Sequence, residues 1–140
     1  MTFNRGLIAD PAEFAREAEA ASWLYLCGEE FASMDGGMSY ADVQEAVPVA
    51  RNIVADPPVH LSMELAREEL AALAELPRPV LVTCRSGHRS SALVYLFAGL
   101  KHGSSAAEVL AQGRADNAPW VDNEILMGWV ALGLAELAQA

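Results

Sequence analysis

The 140-residue chain sets nineteen Asp and Glu against nine Lys and Arg, a formal charge of −10. A field of that sign turns away nucleic acid and anionic lipid surfaces, so neither is an expected partner. The length fits one domain over 1–140, and although apolar residues make up 53% of it, the densest run, Ala92 to Leu100, is about half of the ~20 residues that a membrane helix needs.

Met1 to Ala9 lacks the apolar stretch and small-residue cleavage site of a secretory signal, so a cytoplasmic protein is expected. In that reducing compartment Cys27 and Cys84 are expected as free thiols. Asp10-Pro11-Ala12-Glu13 starts a helix, with Asp10 as cap and Pro11 at the first helical position, running to about Ala20. Trp23 to Cys27 reads as a short buried strand stopped by Gly28, with Cys27 a small buried hydrophobe, and Met34 to Gly37 as a flexible loop. Ser39 and Asp42 open a second helix that Pro48 interrupts. Residues 49–59 give no clear pattern until Asp56-Pro57-Pro58, which forces an extended or turn conformation.

Ser62 caps a helix in which Leu65, Leu70, Leu73 and Leu76 keep roughly helical spacing, and Pro77 ends it. A β-branched strand at 79–83 follows, then a loop, then a helix from about Ser90 to His102 that should bury Leu93, Val94, Phe97 and Leu100 before Gly103. Ser105 and Glu108 form a capping box for a short helix ending at Gly113, residues 116–119 are irregular, and a last helix from about Asn123 to Ala138 carries Ile125, Leu126, Trp129, Val130, Leu132 and Leu137. The order predicts a three-layer α/β domain with a small parallel sheet, its ligand site beyond the carboxyl ends of the strands.

That edge holds the richest chemistry of the chain, Cys84-Arg85-Ser86-Gly87-His88-Arg89-Ser90. A free thiol titrates near ~8.5 and is a poor nucleophile while protonated. A following helix whose positive end faces the loop, backbone N–H groups converging around Gly87, and the permanent cation of Arg89 would all favour a thiolate. Arg89 can grip two oxygens of an oxyanion in a fork, and Ser90 can steady the sulfur as a leaving group. Arg85, Ser86, Gly87, His88 and Ser90 are the candidate substrate-binding residues. Two basic residues in one short loop of an acidic protein mark an anion site. His60, His88 and His102 are scattered without ligand spacing, so no metal is expected, and no glycine pattern calls for a nucleotide cofactor. Trp120 is the one tryptophan placed to rim a pocket.

Cys-x-x-Gly-x-Arg, carried by Cys84, Gly87 and Arg89, resembles the active loop of rhodanese-type sulfurtransferases. Cys-Arg-Ser-Gly-x-Arg-Ser is also similar to the phosphatase-like domain of bacterial beta-lactamase-hydrolase-like proteins, a branch of the cysteine-phosphatase superfamily, and residues 77–112 fit that branch throughout. Downstream, the helical 104–112 segment, Ala118-Pro119-Trp120 and the closing helix follow an order similar to dual-specificity phosphatases. Loop length points the other way, because ordinary cysteine phosphatases place one residue more between cysteine and arginine than the four found here. A smaller ring suits a sulfane sulfur.

The resemblance to the phosphatase branch implies a cysteine-phosphatase-like fold and phosphomonoester hydrolysis, with phosphotyrosine and phosphoserine as candidate substrates. Cys84 would attack phosphorus, Arg89 would hold the oxygens, and a carboxylic acid would protonate the leaving group. By similarity Asp56, 28 residues before Cys84, is the first candidate for that acid, with Asp35 second and Glu64 third. The alternative is sulfur transfer through a Cys84 persulfide, which needs no acid. A third reading is a non-catalytic anion-binding module. The expected partner is a phosphorylated or sulfur-bearing anionic substrate, with no cofactor.

Overall fold

A computed structural model describes residues 1–138. Its elements in chain order are β1 (Thr2–Phe3), α1 (Pro11–Glu17), β2 (Ser22–Tyr25), α2 (Tyr40–Ala46), β3 (Val49–Asn52), α3 (Met63–Glu75), β4 (Val80–Thr83), α4 (His88–His102), α5 (Ala106–Ala115) and α6 (Glu124–Leu137), with 3-10 turns at Glu29–Ser33 and Pro119–Asp122. The four strands form one parallel sheet in the order β1-β4-β2-β3. Every residue of β2 and β4 is buried, as expected of central parallel strands covered on both faces. Trp23, inside this layer, donates its indole N–H to Thr83 Oγ1 at 2.8 Å, which leaves no unpaired polar atom on that ring.

Register decides where the site lies. Tyr25 sits beside both Thr83 of β4 and Asn52 of β3, so three strands end level with one another. The segments leaving them, 26–28, 53–56 and the loop starting at Cys84, meet at one edge, where open parallel sheets bind ligands. Helix starts are set by short-range chemistry. Asp10, Ser62 and Asn123 each accept a backbone N–H three residues on, and Ser39–Asp42 and Ser105–Glu108 close reciprocal capping boxes. The centre of the helical layer is α4 against α6. There Gly133 lets Leu96 approach, since a Cβ on it would lie 2.8 Å from Leu96 Cδ1.

Several expectations are corrected. Strands β1 and β3 carry too little apolar signal to be read: β1 is two residues long, and in β3 only Ala50 is even half-buried. Helix α1 stops at Glu17 rather than near Ala20, where the chain turns through Glu19 at φ +52, and α5 runs to Ala115, past Gly113. Helix α4 begins at His88, two residues earlier than expected, and its buried face is Ser90, Ser91, Ala92, Leu93, Leu96 and Gly99. Val94, Phe97 and Leu100 are only half-buried. In α6, Ile125 and Leu132 are exposed. Trp120 rims nothing; it is 1% exposed and packs against Tyr95. No helix of the described residues is long and apolar enough to cross a membrane.

Candidate functional site

Cys84 is the first residue beyond β4 and is 4% exposed. Its Sγ accepts the backbone N–H of Gly87 at 3.2 Å and of Ser90 at 3.3 Å, and lies 3.4 Å from Ser90 Oγ. The N–H groups therefore converge on the sulfur, and the first turn of α4 presents its positive end to it. Gly87 makes this turn possible. It caps α4 with φ +101, and a Cβ there would sit 2.0 Å from the carbonyl oxygen of Asn4. No residue with a side chain fits that position without moving backbone.

Asn4, at the end of β1, is a residue that sequence reasoning missed. It is 1% exposed. Its Nδ2 donates to the carbonyls of Cys84 at 3.0 Å and Gly6 at 2.9 Å, and its Oδ1 accepts the Cys84 N–H at 3.2 Å and the Ser90 hydroxyl at 2.9 Å. One amide thus pins both ends of the Cys84–Ser90 loop. No local pattern could have shown it, because an asparagine after a two-residue strand reads as a turn residue.

The two arginines of the loop have different tasks. Arg89 is half-buried and donates from Nη1 to the carbonyls of Ala55 and Val59, bridging α4 to the segment after β3. Arg85 pairs with Asp56, its Nε and Nη2 lying 3.0 and 2.9 Å from Asp56 Oδ2, and its guanidinium carbon lies 5.9 Å from the centre of the Phe31 ring. Asp56 is 4% exposed, and its Oδ1 accepts the Gly28 N–H at 3.0 Å. Both carboxylate oxygens are thus engaged, and the three segments at the sheet edge are tied through this one side chain. A cleft of about 290 Å³ opens beside the pair, lined by Gly28, Glu29, Glu30, Val54 and residues 56–59 with Arg85.

The other candidates lie outward. Ser86 and His88 are exposed, joined by a 3.1 Å contact between Ser86 Oγ and His88 Nδ1. Asp35 is exposed in the 34–37 loop and Glu64 in the first turn of α3. Cys27 is buried, and burial pushes its thiol up to about 12, which keeps it protonated and a poor nucleophile.

An acid that sequence reasoning missed lies within electrostatic reach of Arg89. Glu69 of α3 is 2% exposed, with no hydrogen-bond partner for Oε1 among the described residues. Burial raises its carboxyl from the ordinary 4.5 to about 8, and the Arg89 guanidinium opposes the rise. Between those two values the unfolded chain holds Glu69 ionised while the folded one holds it protonated. Stability is therefore expected to fall as pH rises from about 4.5 to about 8 and then to level off. Glu69→Gln should remove that slope and stabilise the protein at pH 8 by on the order of 4 kcal/mol, with little change near pH 4.5. Urea denaturation at both pH values reads the difference, and an equal effect at the two would show that Glu69 is ionised in the fold.

No protein-family model and no curated protein matches the chain. Solved structures do. A protein from Neisseria meningitidis Z2491 assigned as a phosphatase superposes with a TM-score of 0.69 at 14% identity, covering 94% of this chain and 91% of that one. A DUF442 protein from Shewanella putrefaciens CN-32, likewise assigned as a phosphatase, gives 0.64 at 20% identity over 98% and 84%. The core catalytic domain of the PP-IP phosphatase SIW14 from S. cerevisiae, in complex with citrate, gives 0.62 at 16% identity over 86% and 71%. At these identities the likeness is one of fold. The chain shares the α/β fold of these structures.

Proposed function

We propose that residues 1–140 form one domain, a cysteine-dependent phosphatase that hydrolyses phosphomonoesters. The observation that carries this reading is the pair of backbone N–H groups, from Gly87 and Ser90, aimed at Cys84 Sγ at the start of α4. Donors placed to hold a negative sulfur also suit the oxygens of a phosphoryl group attacked by that sulfur. Cys84 attacks phosphorus in line, the S–P bond forming as the ester P–O bond breaks. The loop amides and Arg89 hold the other oxygens while a carboxylic acid gives the leaving oxygen its proton. Water then attacks the phosphocysteine, the carboxylate takes up the proton, and the thiolate departs.

Asp56 is the proposed acid and must release Arg85 to act. Asp56→Asn should slow hydrolysis of an alkyl phosphate about 100-fold or more and that of an aryl phosphate with a good leaving group far less. Equal losses on the two substrates would assign Asp56 to holding Arg85 alone. Sulfur transfer through a Cys84 persulfide is the second reading. It is favoured by the engagement of both Asp56 oxygens with Arg85 and Gly28, since that chemistry needs no acid. The deciding experiment incubates the protein with an aryl phosphate and, separately, with thiosulfate and cyanide. Phosphate release without thiocyanate supports hydrolysis; thiocyanate alone supports sulfur transfer. Phosphate binding with neither product would leave an anion-binding module.

A further inference from the structure

Four hydrogen bonds fix the Asn4 amide in one orientation. Its two partners on the nitrogen side are carbonyl oxygens, of Cys84 and Gly6, which only accept. One partner on the oxygen side is the Cys84 N–H, which only donates. A flipped amide would face donors with donors and acceptors with acceptors, so Oδ1 must point at Ser90 Oγ. An amide oxygen cannot donate, so the Ser90 hydroxyl spends its single proton on Asn4, at 2.9 Å. What Ser90 then offers the sulfur, 3.4 Å away, is a lone pair. That arrangement suits a thiol donating S–H to oxygen and is repulsive toward a thiolate. Once the thiolate forms, the hydroxyl must rotate from Asn4 to the sulfur, and Oδ1 still keeps the Cys84 N–H.

We propose that Asn4 is a positioning residue that parks the Ser90 proton away from Cys84 Sγ, so that the resting hydroxyl withholds a donor from the sulfur and swings to it when the sulfur ionises. This rests on Cys84 as the working nucleophile. The charged and titratable groups carried by the segments around the sulfur are Arg5, Cys27, Asp56, Arg85, His88 and Arg89, and the test alters none of them. Asn4 acts through Ser90 and need not touch the substrate.

The test is the rate of Cys84 alkylation by iodoacetamide against pH, with the modified peptide identified by mass spectrometry, on full-length wild type, Asn4→Ala, Ser90→Ala and the double variant. Circular dichroism confirms that each is folded. With its competing acceptor gone, Ser90 in Asn4→Ala has the sulfur as its partner, and alkylation at pH 6 should rise about three- to tenfold, equivalent to a profile displaced by up to about one pH unit. In the Ser90→Ala background the same Asn4 change should alter the rate less than about twofold, because sites that act through a shared partner are not additive. No rise in Asn4→Ala, or an equal rise without Ser90, overturns the proposal. Asn4→Asp has the same shape and keeps the acceptor while adding negative charge, so alkylation should slow; should Asn4→Ala not fold, a faster or unchanged rate in Asn4→Asp overturns the proposal instead. Hydrolysis of an aryl phosphate retained by Cys84→Ser would overturn the nucleophile reading, while the alkylation comparison of the variants would still decide the role of Asn4.

Discussion

Cys84→Ser is expected to lower turnover of an aryl phosphate by on the order of 10⁴-fold or more while leaving phosphate binding within a few-fold of wild type. The asymmetry follows from the division of labour in the loop. The N–H groups of Gly87 and Ser90 are backbone atoms and Arg89 is anchored on the Ala55 and Val59 carbonyls, so the proposed anion cradle should survive the substitution. What is lost is the sulfur itself, and a serine hydroxyl is a far weaker nucleophile in its place. Steady-state hydrolysis and calorimetric titration with phosphate read the two properties separately. A variant that binds and turns over normally would place the nucleophile elsewhere.

Gly87→Ala should lower activity less than that but cost stability as well. At φ +101 a side chain is strained by about 1–3 kcal/mol, and its Cβ would lie 2.0 Å from the Asn4 carbonyl oxygen, a backbone atom that cannot step aside without moving β1. If the backbone yields, one of the two N–H donors leaves Sγ. Loss of a preorganised donor of this kind typically lowers kcat about 100- to 1,000-fold. A thermal melt should show Tm lower by roughly 10 °C. A variant with wild-type Tm and activity would mean that the loop does not adopt this turn.

The strand, loop and helix of the site were legible because each is written locally. Four successive buried residues make β4, a glycine breaks the chain where φ turns positive, and the capping residues Asp10, Ser39, Ser62, Ser105 and Asn123 sit where helices start. What stayed hidden depends on distance along the chain. The Asn4 contacts join residues 80 and 86 positions apart, and the Asp56–Arg85 pair joins residues 29 apart. Asp56 stood out by its place before two prolines, but its partner did not. Glu69, beside Glu68, reads as solvated surface until α3 is packed against α4 and α6. Helix α6 is apolar nearly all round, so periodicity could not tell that Leu126 and Trp129 face inward while Ile125 and Leu132 face out.

The reading that the sulfur of Cys84 takes the phosphoryl group is tested most directly by mixing the protein with an aryl phosphate, quenching in acid within the first turnover and mapping the digest by mass spectrometry. The account predicts a phosphoryl group on the peptide carrying Cys84 and none on the same peptide of Cys84→Ser. Full turnover with that peptide unmodified at every quench time, or a modification on any other residue, would contradict it.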